Sequence, residues 1–379
     1  MHRLNILFLL SVSILASASP DVKVVEVATL KEAHEVGGLE FSSEGSQRVV
    51  MAGAYDRTAH VWNWRDRKVV ATLLNANASN SASVSGRASP DGRFFVHCDA
   101  VVTVWEAHSW QVRQTLDGQV EGALAGADWP GVCQSVEFSP DGKKLVVLRM
   151  RGPARGGPNV SAYATVSWEK LWSLDTAVFY PKNLAFGPDG SHVAIAGNVR
   201  NIKSWPGRVK LPTFGDPAFP DTGLIAILDM DKPGFVHTVA IPESSYASKQ
   251  TVTWQRQRNT LTYGSEQALR TFDASSGALL DVTATEGVYG RPAAYLSPNG
   301  RIQIETGFGP KETLIRVVDV ANGARTVLHE IHGKTRAVAW SRDSKYFALG
   351  AAAFSIASVH PLLELMAPSK GKVIVFEVR

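Results

Sequence analysis

The sequence predicts an all-β fold, a seven-bladed β-propeller whose blades are four-stranded antiparallel sheets. The first observation is a short turn motif that recurs along the whole chain with apolar alternation on both sides of it. The second is that each unit carries two further alternating apolar segments after the motif,. Repeated units of four short strands are typical of propeller blades. Copies of the motif, clear or degenerate, begin at residues 41, 88, 138, 186, 254, 296 and 340.

The clearest copy of the motif lies in the segment VEFSPDGKKLVVL, residues 136–148. Alternating apolar residues before the turn predict a strand with one buried face. Pro140 fixes φ for a turn, while Asp141 and Gly142 supply a side-chain hydrogen bond and a positive φ. A second strand follows the turn, and two more follow in each unit, such as TAHVWNW and KVVATL in the first. The motif is therefore interpreted as a strand-to-strand turn and not as a chemical site.

The repeats also predict the domain organisation. We expect residues 1–18 to be a signal peptide and residues 19–379 to form one propeller. The last unit ends after its third strand, so residues 22–30 are expected to pair beside residues 373–378 and complete the last blade. Such pairing closes the ring and removes two open sheet edges. The blades are expected at about residues 31–75, 76–117, 118–181, 182–243, 244–283, 284–328 and 329–379.

The first residues, MHRLNILFLLSVSILASASP, predict export from the cytoplasm. A short polar start precedes an apolar run that is too short to span a bilayer comfortably, and Ala16-Ser17-Ala18 fits the cleavage pattern,. A retained membrane anchor is the alternative. No later segment predicts a membrane span. The net charge of +4 and the 20% charged residues are globular values and do not indicate a dedicated nucleic-acid binder,.

The two cysteines, Cys98 and Cys133, are expected to form a disulfide bond. A single disulfide is the default expectation for an exported chain with two cysteines and no Cys-x-x-Cys motif,. In the predicted topology, Cys98 ends the second strand of the second blade and Cys133 enters the first strand of the third. Both would lie at the same face in neighbouring blades, so the prediction is a bond between blades.

Several residues resemble the tryptophan–aspartate (WD) repeat family. In that family a His precedes the first strand, an Asp lies in the turn before the third strand and a Trp lies within the third. The first two units are the most similar, and exported relatives with YVTN-like repeats are also comparable. The resemblance implies a propeller that acts as a scaffold for interactions. It assigns structural roles in this sequence to His34, Asp56, Trp62, Asp99, Trp105 and His332.

Three long connections break the regular spacing, and all are expected between second and third strands, at one face of the propeller. They lie at residues 149–163, 197–223 and 357–372. Long loops on a rigid scaffold commonly carry binding. The first two concentrate cationic and aromatic residues, which suits an anionic partner, although solvated loops are an equal alternative. The candidate binding patch comprises Arg149, Arg151, Arg155, Tyr163, Arg200, Lys203, Trp205, Arg208 and Lys210.

Catalytic patterns are few. The chain has no Gly-x-Ser-x-Gly motif, no His-Glu-x-x-His motif and no phosphate-binding loop, so no catalytic residue, metal or cofactor is assigned,. The prediction is an exported, non-enzymatic scaffold, secreted or periplasmic, that binds a protein or another anionic macromolecule as a monomer. It is expected to have no membrane span in the mature chain and no specific nucleic-acid partner. The alternative is a propeller enzyme, either a lactonase-like hydrolase or a subunit of a quinone-dependent dehydrogenase.

Overall fold

The computed structural model describes the chain in separate ranges, and within them all regular structure is β-strand. The predicted signal peptide at 1–18 lies outside the described residues. No helix in the described part is long and apolar enough to cross a membrane. The described ranges are 22–32, 36–42, 48–53, 58–74, 85–98, 101–116, 132–150, 159–174, 179–200, 221–241, 251–255, 258–265, 268–284, 293–306, 313–331, 334–352 and 371–379.

The strands assemble into four-stranded antiparallel sheets in chain order, each sheet being one blade. Blade 1 contains β2 (Val36–Phe41), β3 (Arg48–Gly53), β4 (Thr58–Asn63) and β5 (Lys68–Leu74). Blade 2 contains β6 (Ser85–Ala88), β7 (Phe94–Cys98), β8 (Val102–Glu106) and β9 (Val112–Leu116). Blade 3 contains β10 (Val132–Phe138), β11 (Lys144–Met150), β12 (Val160–Ala164) and β13 (Lys170–Leu174).

The next three blades repeat this order. Blade 4 contains β14 (Phe179–Phe186), β15 (His192–Arg200), β16 (Asp221–Asp229) and β17 (Gly234–Ile241). Blade 5 contains β18 (Thr251–Gln255), β19 (Thr260–Gly264), β20 (Ala268–Asp273) and β21 (Leu279–Ala284). Blade 6 contains β22 (Ala293–Leu296), β23 (Ile302–Thr306), β24 (Thr313–Asp319) and β25 (Arg325–Ile331). The predicted all-β propeller of four-stranded antiparallel blades is confirmed.

The two ends of the described chain share one sheet, which we call the terminal blade. It contains β26 (Lys334–Trp340), β27 (Tyr346–Ala352), β28 (Gly371–Val378) and β1 (Val24–Glu32), with β1 outermost beside β28. The antiparallel register runs from the Val24–Val378 pair to the Glu32–Gly371 pair, with one irregularity near Glu26. Leu30 is buried against the same apolar cluster as Val373. The N-terminal strand therefore contributes to the core as well as to the hydrogen-bonded sheet.

Successive side chains along the second strand of a blade pack alternately against the two neighbouring blades. In β11, Val146 and Leu148 pack in the cluster shared with blade 4, whereas Leu145 and Val147 pack in the cluster shared with blade 2. This is the two-residue period expected of a strand that is buried on both faces. The apolar core around blade 3 is therefore divided into two layers, one shared with blade 2 and one shared with blade 4.

The turn motif has the predicted geometry, and it also makes a contact that the sequence did not indicate. The Ser139 hydroxyl donates to Asp141 Oδ1 over 2.6 Å, and Gly142 has a φ of +71°. Pro140 additionally packs against Gly190 of the next blade, where a Cβ on the glycine would lie 3.2 Å from the proline Cδ. The proline thus joins adjacent blades as well as fixing its own φ.

Candidate functional site

Three adjacent inner strands carry a charged side chain at the same position of the repeat. Glu40 on β2, Arg87 on β6 and Glu137 on β10 each stand two residues before the serine of the turn motif. Arg87 Nε lies 2.8 Å from Glu137 Oε2, and its Nη1 atom lies 3.4 Å from Glu40 Oε2. One guanidinium therefore links the inner edges of blades 1, 2 and 3. We call these three residues the inner-strand ion-pair set.

The ion-pair set shifts the protonation of its members because one cation faces two acids. Burial raises the pKa of Glu40 to about 7; Arg87 opposes this shift and the Glu137 carboxylate adds to it. Burial alone would lower the pKa of Arg87, but Glu137 and Glu40 outweigh it and raise that pKa. On β22, burial raises the pKa of the Tyr295 hydroxyl to about 12, and the nearby Arg87 charge opposes only part of this rise. Glu40 is the more loosely paired acid of the two, and its raised pKa lies near neutral pH.

We expect the Glu40→Gln variant to reduce the pH dependence of stability. A carboxyl whose pKa rises from 4.5 in the unfolded chain to about 7 in the folded one binds its proton more tightly when folded. The wild-type protein should therefore lose stability as the pH rises through that window. The loss is about 2 kcal/mol, less than the full linkage because the Glu40 side chain keeps 21% of its surface exposed,.

Urea unfolding at pH 5, 6, 7 and 8 measures this effect. The exposed Glu169→Gln variant serves as the control and should keep the wild-type slope of unfolding free energy against pH. Equal slopes for Glu40→Gln and the wild-type protein would show that Glu40 does not titrate in this window.

The three longest connections between second and third strands start at described strand ends on one face of the propeller. They join β11 to β12, β15 to β16, and β27 to β28, and comprise residues 151–159, 201–220 and 353–370. The first-to-second turns lie at the opposite face because neighbouring strands are antiparallel,. We call the face with the three connections the long-loop face. Other second-to-third connections are shorter, such as residues 54–57, 99–101 and 265–267.

The predicted disulfide lies at the long-loop face. Cys98 ends β7 in blade 2 and Cys133 lies near the start of β10 in blade 3, and the two form a disulfide bond with a Cα–Cα distance of 5.5 Å. Both side chains are fully buried. Cys133 also stands opposite Arg149 in the sheet, just before the first long connection. The predicted Cys98–Cys133 bond between blades is confirmed, and it anchors the base of that connection.

The predicted binding patch is only partly within the described residues. Arg149 is the next-to-last residue of β11 and Tyr163 lies in β12. Each residue is only 2% exposed, so neither contributes to an exposed surface. Lys170 Nζ lies 5.7 Å from the centre of the Tyr163 ring. The backbone of Arg200 ends β15 opposite Asp221. The remaining predicted members lie outside the described residues: Arg151, Arg155, Lys203, Trp205, Arg208 and Lys210.

Two of the predicted repeat positions are described. Trp62 lies in β4 and packs against the cluster that includes residues of the terminal blade. Trp105 lies in β8 and packs against the cluster between blades 1 and 2. Both occupy the third strand of their blade, as the family pattern requires. The other positions fall outside the described residues: His34, Asp56, Asp99 and His332.

Sequence reasoning missed the inner-strand ion-pair set, although a signal was present. Glu40, Arg87 and Glu137 occupy the same position of the repeat. Since side chains alternate along a strand, this position faces away from the apolar residues on either side of it. Aligning the units would have shown acid, base and acid in three successive copies. Within the described ranges, no group of His, Cys, Asp and Glu side chains is arranged to hold a metal ion.

Comparison with known families supports the predicted repeat. Residues 25–63 match the family model described as WD domain, G-beta repeat. The matched segment covers β1 to β4, so it begins on the outer strand of the terminal blade and continues through the first three strands of blade 1. No curated protein matches the chain significantly. The predicted resemblance to WD-repeat β-propellers is confirmed by this match together with the blade architecture.

Proposed function

We propose that this β-propeller, which contains a WD-type repeat, is an exported, non-enzymatic scaffold that binds a macromolecular partner at its long-loop face. Propellers with WD repeats commonly act as protein-interaction scaffolds. The observation that carries the proposal is the position of the three longest strand connections, which all start from that face. The alternative of a propeller enzyme stays a prediction from the sequence alone.

A rigid frame under the loops supports this role. The scaffold we propose is one closed ring of seven blades, in which the terminal blade joins the two ends of the chain. Pairing of β1 with β28 and packing of Leu30 with Val373 support closure. The Cys98–Cys133 bond fastens blades 2 and 3 beside the first long connection. Loops carried by such a frame lose less conformational entropy on binding than loops on a flexible chain.

Export is supported by two independent features. The predicted signal peptide gives a route out of the cytoplasm, and a fully buried disulfide is typical of proteins that fold in an oxidising compartment,. We therefore propose a secreted or periplasmic protein. The proposed domain is residues 19–379, and the proposed partner-binding form is the monomer.

The partner we propose is an anionic macromolecule, such as an acidic protein surface. In sequence, the cationic members of the patch other than Arg149 lie in or next to the long connections of blades 3 and 4. These two blades share a buried apolar cluster and are therefore neighbours. Clustered cations steer association with an acidic partner and speed its on-rate. Arg149 and Tyr163 are excluded from this surface by their burial.

Affinity capture with two matched variants tests the proposal. The loop variant carries Arg151→Ser, Arg155→Ser, Lys203→Ser and Arg208→Ser. The control variant carries Lys143→Ser, Lys232→Ser, Arg301→Ser and Lys345→Ser, which removes the same charge from exposed side chains at the opposite face. We expect the loop variant to bind the captured partner at least tenfold more weakly at low salt, and the control variant to bind like the wild-type protein.

Two results would contradict the proposal. The loop variant could retain every captured partner at wild-type affinity, or the control variant could lose the partner instead. Measuring the salt dependence of binding separates a cationic contact from an apolar one, because screening weakens only the former strongly.

A further inference from the structure

The interface between blades 5 and 6 differs from the others in its core. Among the described residues, its buried apolar cluster contains only Leu269 and Ala294. The interface between blades 3 and 4, by comparison, buries Leu148, Ile195 and Leu224 among other apolar side chains. A well-packed propeller buries apolar side chains at every blade interface. Polar side chains have replaced them at this one.

The replacement follows the alternation of the facing strands. In β19, Leu261 and Tyr263 pack towards blade 4, so Thr260 and Thr262 face blade 6. In β23, Ile302 and Ile304 pack towards the terminal blade. The alternate residues, Gln303 and Glu305, therefore face blade 5. Two polar strand faces therefore oppose each other where adjacent blades normally share an apolar layer.

These faces enclose a cavity of about 330 Å³, near the lower end of the range for small-molecule sites,. Its floor contains the buried side chains of Gln255, Thr262 and Glu305. The exposed lining residues Arg258, Leu280 and Arg325 form its mouth. Arg258 Nη2 donates to the Val320 carbonyl over 2.6 Å and so bridges the two blades. The cavity shares no lining residue with the inner-strand ion-pair set or with the three long connections.

A directed chain of hydrogen bonds crosses the floor of the cavity and ends at Glu305. The Thr260 hydroxyl donates to Gln255 Oε1 over 3.2 Å, and Gln255 Nε2 donates to Gln303 Oε1 over 3.0 Å. Gln303 Nε2 in turn donates to Glu305 Oε1 over 3.0 Å. The chain satisfies one carboxyl oxygen and holds the side chain in place. It also fixes the amide of Gln303 in one orientation.

The second carboxyl oxygen is buried and has no hydrogen-bond partner among the described residues. Glu305 is 2% exposed and lines the cavity, and its Oε2 atom accepts no hydrogen bond from the described residues. An unsatisfied buried carboxyl oxygen costs free energy comparable with a lost hydrogen bond to a charged group. Burial also raises the pKa of Glu305, although Gln303 lowers it in part. A bound group that offers a hydroxyl would satisfy Oε2 in either protonation state.

The other lining groups indicate what kind of molecule would carry that hydroxyl. The two acids of the cavity, Glu305 and Asp281, are balanced by two bases, Arg258 and Arg325, so the lining does not select a free cation or anion. Threonine hydroxyls and glutamine amides both donate and accept, which matches neutral hydroxyl groups. Apolar side chains such as Leu280 and Val318 offer contact area for C–H groups.

We propose that the cavity between blades 5 and 6 binds a small neutral polyhydroxylated molecule of monosaccharide or cyclitol size, with a ligand hydroxyl on Glu305 Oε2. The arginines at the mouth donate to ligand oxygens, and the threonines of β19 and β20 complete the polar contacts. This site shares no lining residue with the proposed partner-binding loops, so the scaffold would carry a separate small-molecule site.

Isothermal titration calorimetry and thermal unfolding test the site with named probes. The panel contains glucose, galactose, mannose, ribose and myo-inositol, with putrescine and glycine as cationic and zwitterionic comparators. We expect at least one neutral polyol to bind in the millimolar range or tighter and to raise the unfolding temperature. Glu305→Gln, which keeps the shape of the side chain, should weaken that binding at least tenfold.

Two further variants separate a binding site from a structural role. Leu280→Trp narrows the exposed mouth without touching the hydrogen-bond chain and should weaken binding by a similar factor. The exposed Glu169→Gln control on blade 3 should bind like the wild-type protein. The proposal is overturned if no neutral polyol binds, if only putrescine or glycine binds, or if binding survives both Glu305→Gln and Leu280→Trp.

Discussion

Deleting residues 19–30 is expected to abolish the cooperative unfolding transition of the propeller. The deletion removes most of β1, exposes the hydrogen-bonding edge of β28 and uncovers the apolar cluster that Leu30 and Val373 share. An unpaired edge strand also promotes association between chains. We expect loss of the near-ultraviolet circular dichroism signal and of the calorimetric transition, with aggregation in size-exclusion chromatography.

Point variants of the same strand give a graded test. Leu30 is 1% exposed, so Leu30→Ala should cost about 3 kcal/mol of unfolding free energy by leaving a cavity,. Lys31→Ala, one residue later on the exposed side, should change it by less than about 0.5 kcal/mol. A deletion variant that melts at the wild-type temperature would show that the N-terminal strand does not stabilise the propeller.

The second large effect is expected from loss of the disulfide. Cys98 and Cys133 lie 35 residues apart in sequence, so the bond restricts a loop of that length in the unfolded chain. The chain-entropy relation gives about 4 kcal/mol of stabilisation for a loop of this size. We expect the Cys98→Ala, Cys133→Ala double variant to lose about that much unfolding free energy. Its midpoint in guanidinium should fall accordingly.

The wild-type protein itself provides the control for that measurement. Under a strong reductant it should unfold at nearly the same denaturant concentration as the double variant, whereas in oxidising buffer it should be far more stable. Titration of the native oxidised protein should find no reactive thiol. Two reactive thiols, or equal midpoints for the oxidised protein and the double variant, would contradict a stabilising role for the bond.

The fold was predictable because the residues that determine each turn and each strand lie close together in the sequence. Each turn needs a short hydroxyl or carboxyl side chain and a residue that accepts positive φ, and each strand needs a two-residue alternation. Ser139, Asp141 and Gly142 meet these needs within four positions of the chain. The contact of Pro140 with Gly190 was not predictable in this way, because it joins turns from different blades whose packing no single unit specifies.

The functional features were less accessible because they depend on contacts between blades. The patch prediction read Arg149 and Tyr163 as loop residues, whereas both belong to strands whose ends extend further than the apolar pattern suggested. The polar interface of blades 5 and 6 was visible as threonine in β19 and as Gln303 and Glu305 in β23. Recognising these residues as a polar interface required knowing that these faces of β19 and β23 lie against each other.

Hydrogen exchange on the complex with a captured partner tests the central claim most directly. The scaffold account predicts slowed exchange in peptides that cover residues 151–159 and 201–220, with exchange unchanged in the turns at residues 89–93 and 139–143 on the opposite face. Protection confined to those turns, with no change in the two long connections, would contradict binding at the long-loop face.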